Sequence, residues 1–345
     1  MNVRTQGLAE ARRPCGVAIF TKFGRVASQM SLIEQKFQIP LQQGGQRVDK
    51  VAATLFVDFS RAELTGWIQQ GMLTLDGAIV KPKHKVLGGE WLHLQAPQDV
   101  GEMWEQAEQI ALDVVYEDDD VLLINKPAGL VVHPGAGNRS GTLVNGLLNY
   151  RPALHTLPRA GIVHRLDKDT SGLMVVATSQ RALRTLVESI QQRQVQRSYV
   201  ALCEGVMIAG QDVDRPIGRD PKHRTRQAVR DDGKPALSHI RVRERYRAHS
   251  MVDVQLATGR THQIRVHMQS IGFPLIGDSQ YGWRRIVPRG ADGVTVATVH
   301  GFPRQALHAA KLRFQHPRSA ETVSFSAALP DDIVRLARVL ADDAD

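Results

Sequence analysis

The chain has 345 residues, room for more than one domain, and its 42% hydrophobic content is enough to bury a sizeable core. Its 44 Lys and Arg against 35 Asp and Glu leave a net charge of +9, which points to an anionic partner, most commonly nucleic acid. No apolar run approaches the roughly 20 residues of a membrane span, and two distant cysteines, Cys15 and Cys203, exclude a disulfide scaffold or a cysteine zinc ribbon and suit a reducing cytoplasm.

In chain order, residues 1–29 carry Arg4, Arg12, Arg13, Lys22 and Arg25 against the single acid Glu10 and lack an apolar core. They read as a disordered leader, or as an over-extended start with Met30 as the initiator. Regular patterning begins at Gln46. Arg47 to Phe56 reads as one helix, and Ser60, with Glu63 as capping-box partner, opens a second that runs through Trp67 and Ile68 to a stop at Gly71. Met72 to Gly77 reads as a strand and tight turn continued by Ile79 to Pro82. The basic run Lys83-His84-Lys85 and a closing strand Glu90 to Leu94 follow. This module spans 46–96, a polar linker 97–111, and a larger module 112–335.

The larger module opens with short apolar strands, Leu112–Tyr116 and Val121–Asn125, around the acidic turn Glu117–Asp120, and then a Pro/Gly turn, Asn125 to Pro134. Thr142–Tyr150 reads as a short helix. The stretch from Gly161 to Gly172 is a polar, Gly-bounded loop in which Asp167 lies between Arg165 and Lys168, immediately before the apolar strand Leu173–Ala177. Flanking cations favour an ionised carboxylate, and a loop fixed to a strand can present it as a nucleophile; the plainer reading is a solvated charge cluster. Ser179 caps a helix with a core-facing stripe of Ala182, Leu183, Leu186, Val187 and Ile190, which leads into the strand Arg197–Leu202.

Residues 215–247 hold eleven Lys and Arg against four acids. Arg241, Arg243, Arg245 and Arg247 alternate on one strand, so they share a face whose self-repulsion an RNA backbone would relieve. Thr258 to His267 opens a helix. Its histidines, His262 and His267, are five apart without the spacing of a helical metal site, so no metal is expected. Residues 284–304 read as a surface loop, and Gln305 to Phe314 as a last strand.

The elements Ser60-Arg61, Ile68, Gly71, Leu73, Leu75-Asp76-Gly77 and Lys81-Pro82 resemble the S4 RNA-binding domain, of the αL type. That resemblance implies a basic face that grips RNA phosphates, with Arg47, Arg61, Lys81 and Lys85 as candidates. His164-Arg165-Leu166-Asp167 followed by Thr170-Ser171-Gly172-Leu173, together with the Asn125-Lys126-Pro127 element, resembles the RluA-type pseudouridine synthases. Asp167-Lys168-Asp169-Thr170 is only superficially similar to the DKTGT motif of phosphoryl-transfer enzymes, since Asp169 interrupts it and no Gly-Asp-Gly partner follows. The resemblance implies an α+β fold, a mixed, mainly antiparallel sheet with flanking helices and a basic cleft. It implies Asp167 as the catalytic residue, Tyr199 against the target uracil, Arg260 paired to Asp167, Ile264 lining the pocket, and Arg165 filling the space of a flipped base. Arg241, Arg243 and Arg245 join the RNA-binding candidates on charge.

The implied reaction is isomerisation of uridine to pseudouridine in large-subunit (23S) ribosomal RNA, at the helix 69 stem-loop, by a cytoplasmic monomer without cofactor or membrane. Asp167 could attack C1′, add to the base or abstract a sugar proton. The alternatives are a non-catalytic RNA-binding assembly factor, a synthase acting on other rRNA sites or tRNA, and an aspartyl-phosphate phosphatase requiring magnesium.

Overall fold

The computed structural model describes residues 32–56, 59, 61–97, 106–135, 138–223, 225–282 and 285–343. The leader 1–29, Met30, Cys15, the cap Ser60 and much of the linker lie outside them. The chain divides into two compact units, residues 1–100 and 101–345. Among the described residues no helix is long and apolar enough to cross a membrane.

In the first unit a three-stranded antiparallel sheet in the order β1-β3-β2 (β1 Leu32–Gln38, β2 Leu73–Leu75, β3 Trp91–Pro97) packs on α1 (Val48–Leu55) and α2 (Arg61–Gln70). Val48, Val51 and Ala52 fall at helical spacing and are buried with Leu64, Ile68, Leu92 and Leu94. Asp76 and Gly77 both take positive φ, at 46° and 77°, as a tight turn of this kind requires. Two features depart from the sequence reading. β1 is a strand where none was expected, and Ile79–Pro82 does not continue the strand; Ile79 is exposed and the segment makes no ladder beyond the Leu75–Ala78 bridge.

The second unit is built on a nine-stranded sheet in the order β4-β5-β6-β13-β7-β12-β11-β8, with β14 paired to β13. These are β4 Val114–Glu117, β5 Val121–Lys126, β6 Ser171–Ala177, β7 Gln196–Glu204, β8 Gln211–Asp214, β11 Leu237–Arg245, β12 His249–Leu256, β13 Leu307–Gln315 and β14 Thr322–Ser326. A two-stranded ribbon, β9 (Ile217–Arg219) and β10 (Gln227–Val229), stands apart from it. All pairings are antiparallel except β6 with β13, so the sheet is mixed and mainly antiparallel, the class expected. Helices α3 (Leu143–Tyr150) and α5 (Gln263–Ser270) cover one face against Ile124, Met174, Val176, Ala201 and Val254. On the other face α4 (Gln180–Gln191) packs on Leu123 and Val175, and α7 (Asp331–Asp342) on Val200, Leu202 and Met251. Residues 284–304 are more than a surface loop. Asp292 caps a helix there, α6 (Gly293–Gly301), by accepting from Thr295 N–H at 2.7 Å, and Val299 is buried against α7's core.

The parallel junction of β6 and β13 is tight. Gly172 has φ +117°, and a Cβ there would lie 2.4–2.8 Å from three backbone atoms of Ala309. Gly172→Ala is therefore expected to cost about 3 kcal/mol or more, read as a lower midpoint of urea unfolding.

The acidic turn before β5 closes the opposite end. Asp120 is 2% exposed and accepts from Ser179 Oγ at 2.7 Å and Arg181 Nη2 at 2.8 Å, with Arg318 Nε on the same carboxylate. Burial works to raise its pKa, but the bonds from Ser179, Arg318 and Arg181 outweigh it and hold the carboxyl at about 2. That is below the value of an unfolded aspartate, about 3.9, so the group stabilises the fold above roughly pH 4 and loses that contribution as pH falls through about 2. Asp120→Asn is expected to lower the thermal midpoint at pH 7 and to differ much less from wild type near pH 2.5, measured by calorimetry at both.

Candidate active site

Three successive residues take left-handed backbone angles on the way into the Asp167 loop: Arg159, Ala160 and Gly161, with φ of 56°, 51° and 77°. Only glycine fits the last, since a Cβ on Gly161 would lie 1.9 Å from the Ala177 carbonyl oxygen. Ile162 then bridges to Val176, and His164 Nε2 accepts from Val175 N–H at 3.1 Å, so the segment is tied to β6 before it turns at Asp167.

Two buried cations fix the turn by its carbonyl oxygens. Lys126, 1% exposed, places all three N–H donors on backbone: Lys168 O at 2.9 Å, Pro127 O at 2.7 Å and Leu130 O at 2.9 Å. Its pKa is drawn down to about 8, chiefly by burial, against the pull of Asp169 and Asp167. Arg304, 7% exposed, donates to Asp169 O at 3.1 Å and is itself held by Asp332 at 2.6 Å. Gly129 N–H adds a bond to Lys168 O at 2.9 Å, and Gln305 Nε2 one to Thr170 Oγ1 at 3.1 Å. The Asn125–Pro134 element thus buttresses the loop.

The Asp167 side chain is left 18% exposed. Arg265 Nη1 reaches its Oδ2 at 3.2 Å, and His262 Nε2 stands 3.9 Å from Oδ1. Arg265 is fixed from behind: its Nε and Nη2 form a two-pronged pair with Asp278 at 2.7 and 2.8 Å, Gln280 Oε1 accepts from Nη2 at 3.1 Å, and the Tyr281 ring lies 4.8 Å beneath. Burial would depress its pKa, but Asp278 and Asp167 more than compensate and raise it, so the guanidinium stays charged.

His262 takes φ 56° at the N-terminus of α5. Its Nδ1 is 2.8 Å from the Tyr281 hydroxyl, and that oxygen accepts from Gln227 N–H at 2.8 Å. The network therefore sends the phenol proton to Nδ1 and leaves Nε2–H facing Asp167. Burial, against Asp167, holds the imidazole pKa below its ordinary value, which favours the neutral ring beside Asp167. His267 turns instead to Ser238 Oγ and Arg215 O, both at 2.9 Å, so the two histidines share no ligand position.

Tyr199, 6% exposed, and Ile264, 4% exposed, belong to one apolar cluster with Leu166, the residue before Asp167. Arg165 is exposed and makes no hydrogen bond or ion pair among the described residues; its charge, after burial and Arg159, helps to hold His133 down at about 4. Arg260 is a correction. It lies before α5, where Nε donates to Pro235 O at 3.0 Å, and the ion pair expected of it belongs to Arg265, in the first turn of the helix. Both arginines stand in the same short motif, and only the position of the helix start distinguishes them.

The basic strand is a second correction. Arg241 meets Asp212 at 2.9 Å, Arg243 pairs with Asp253, Arg245 donates to Met207 O at 2.9 Å, and Arg247 meets Asp343 at 3.2 Å. The protein's own acids and carbonyls thus relieve the repulsion. In the sheet register Arg241 stands opposite Asp253 and Val200, whereas Tyr199 shares its face with Val254 and Ile240. Arg241 therefore points away from the Asp167 side, and a register shift after Val242 breaks the alternation.

In the first unit Arg47 and Arg61 share the buried carboxylate of Asp49, at 2.8 and 2.9 Å, a cluster with one positive charge to spare. Lys81 and Lys85 are exposed, with no such partner among the described residues.

A sequence model of the family described as RNA pseudouridylate synthase matches residues 120–270, and one of the S4 domain matches residues 46–92. The chain is similar to "Ribosomal large subunit pseudouridine synthase D" of Pseudomonas aeruginosa, 49% identical over 312 residues, covering 90% of this chain and 97% of that one. The protein of the same description from Escherichia coli strain K12 is 49% identical over 302 residues, covering 87% and 92%. Among solved structures, "Human RNA Pseudouridylate Synthase Domain Containing 4" superposes with a TM-score of 0.53 at 26% identity, over 66% of this chain and 92% of that one.

Proposed function

Because the chain belongs to the RluA-type RNA pseudouridine synthases with an S4 domain, we propose that it isomerises uridines of large-subunit ribosomal RNA with Asp167 as nucleophile. The observation that supports this best is the Asp167 carboxylate itself. It is partly exposed, paired on one oxygen to Arg265, faced on the other by His262, and set on a turn whose backbone two buried cations hold.

A pre-aimed carboxylate loses little orientational freedom on reaching its transition state. It bonds to C1′ as the C1′–N1 bond breaks and that electron pair leaves with the uracil. The base turns, C5 bonds to C1′ and displaces the carboxylate, C5 gives up its proton, and N1 takes one. Tyr199 packs on the uracil and, with Ile264 and Leu166, keeps the detached base from water. Arg165, exposed and unpaired, enters the stack in place of the flipped nucleotide.

The names of the relatives support large-subunit ribosomal RNA as the substrate class, and the site within it is our own proposal. We assign the helix 69 stem-loop of the 23S RNA as target, engaged by a cytoplasmic monomer with Lys81, Lys85 and the Arg47–Arg61 pair on RNA phosphates. Tritium release from C5-labelled uridine tests it, in unmodified large-subunit rRNA, the isolated stem-loop and tRNA. Release from rRNA and stem-loop is expected. Release from tRNA alone would sink the substrate assignment, and release from none of the three would sink the activity.

A further inference from the structure

We propose that Arg197, to which no role has been given so far, receives the uracil itself and carries the negative charge that builds on it when the glycosidic bond breaks. The inference rests on the synthase reading above and deepens it.

Arg197 stands on β7 two residues before Tyr199 and is 8% exposed. Its Nε is buried without a partner, and no hydrogen bond or ion pair reaches the guanidinium among the described residues. The other buried cations of this region are satisfied: Lys126 by three carbonyls, Arg265 by two carboxylates, Arg304 by Asp332 and backbone. An unpaired buried guanidinium is costly, and it persists where something outside the free protein supplies the acceptor.

A second donor stands in the same state. His164 Nε2 accepts from Val175 N–H, so in the neutral ring the proton is on Nδ1, and Nδ1 too is buried without a partner. Arg197 and Tyr199, two apart on β7, share one face of the strand, and the charge of Arg197 is felt at both His164 and Tyr199, as that of Asp167 is at Tyr199. Burial, reinforced by Arg197, holds His164 at about 3, so it offers a neutral N–H rather than a competing charge. Gly259 leaves the space: a Cβ there would lie 2.5 Å from Arg197 Nη1.

Two donors without acceptors, beside an aromatic ring, suit a flat group rich in acceptors. Uracil presents O2 and O4, weak acceptors in the nucleoside and strong ones once the electron pair of the broken C1′–N1 bond has spread over N1, O2 and O4. A donor that gains strength as that charge forms lowers the barrier rather than merely tightening binding. A backbone phosphate carries full charge from the outset, and a side chain so deeply buried next to Tyr199 is within reach of the base rather than of the chain that bears it.

The test uses full-length wild type, Arg197→Met and Arg197→Lys in single-turnover conversion of an oligoribonucleotide carrying the uridine that wild type converts. The same RNA is made with 5-fluorouridine, whose ring leaves more easily because fluorine stabilises its anion. Nucleoside consumption is followed by chromatography of digests. Arg197→Met is expected to slow the uridine RNA about 10²- to 10³-fold and the fluorinated RNA at least about tenfold less severely, with RNA affinity unchanged and Arg197→Lys in between. Since it removes an unpaired buried charge, Arg197→Met is also expected to raise the midpoint of urea unfolding. Equal losses on both RNAs with lowered stability, or a variant that fails to fold, would make Arg197 a structural residue and overturn the proposal. Weakened RNA affinity with a shallower salt dependence would make it a phosphate contact and overturn it as well. Failure of wild type to convert any uridine removes the synthase reading and this inference with it, whereas conversion with equal losses removes this inference alone.

Discussion

Asp167→Asn is expected to reduce turnover by about 10⁴-fold or more, the scale on which removing a nucleophile acts, while RNA affinity stays within about threefold of wild type, as rate chemistry and phosphate gripping are separate functions. The substitution is nearly isosteric. Its amide oxygen can still accept from Arg265 Nη1, so the loop geometry, which depends on Lys126 and Arg304, is retained. What is lost is the second oxygen, the one facing His262, and with it the negative charge that the proposed attack on C1′ requires. Single-turnover tritium release and filter binding, run on the same preparations, separate the two quantities. A variant that still releases tritium at a tenth of the wild-type rate would remove Asp167 from the chemistry, and one that supports ribosome assembly as well as wild type would favour an RNA-binding assembly factor.

Arg265→Met is expected to do two kinds of damage that can be told apart. It leaves Asp278, whose side chain is fully buried, without its two-pronged partner, and breaking such a pair from one side costs about 3–5 kcal/mol of stability. It also takes from Asp167 the cation in direct contact with it, for an expected fall in turnover of about 10²- to 10³-fold. Adding Asp278→Asn to the same chain removes the stranded charge, and its amide oxygen can still accept from the N–H groups of Gln280 and Tyr281. The double variant should therefore regain most of the lost stability and none of the lost rate. Urea unfolding beside single-turnover kinetics checks this; recovery of both together would mean that Arg265 acts on the reaction only by keeping the protein folded.

Much of this site could be read in the sequence because its pieces are local. The Gly161–Gly172 loop, the strand behind it, the cap at Ser179 and the Asn125–Pro134 element are each set by neighbours a few residues away. The partners that finish the site were not readable, since they are joined only by the fold. Lys126 meets Lys168 across 42 positions and Arg304 meets Asp169 across 135, and neither spacing leaves a pattern in the chain. The motif shows both Arg260 and Arg265, and local sequence does not tell that α5 begins at Gln263, so that Arg265 lies in the helix and reaches Asp167 while Arg260 stays before it. The arginines of β11 misled for a different reason: alternation shows that residues share a face but not which face, and it cannot show that Asp212 and Asp253 already stand opposite them.

The place of β13 has a consequence for how the protein comes into being. It enters the sheet between β6 and β7, both made more than a hundred residues earlier, and Arg304 and Gln305, in the short segment leading into it, are the ones that grip Asp169 and Thr170. A nascent chain that has reached residue 300 already contains the Asp167 loop, Tyr199 and Arg265, yet its central sheet is split and the loop lacks half of its anchors. Catalysis is thus expected to wait on translation: β13, made late, is the strand that closes the middle, and a chain interrupted before it would carry the motifs of the enzyme without its activity.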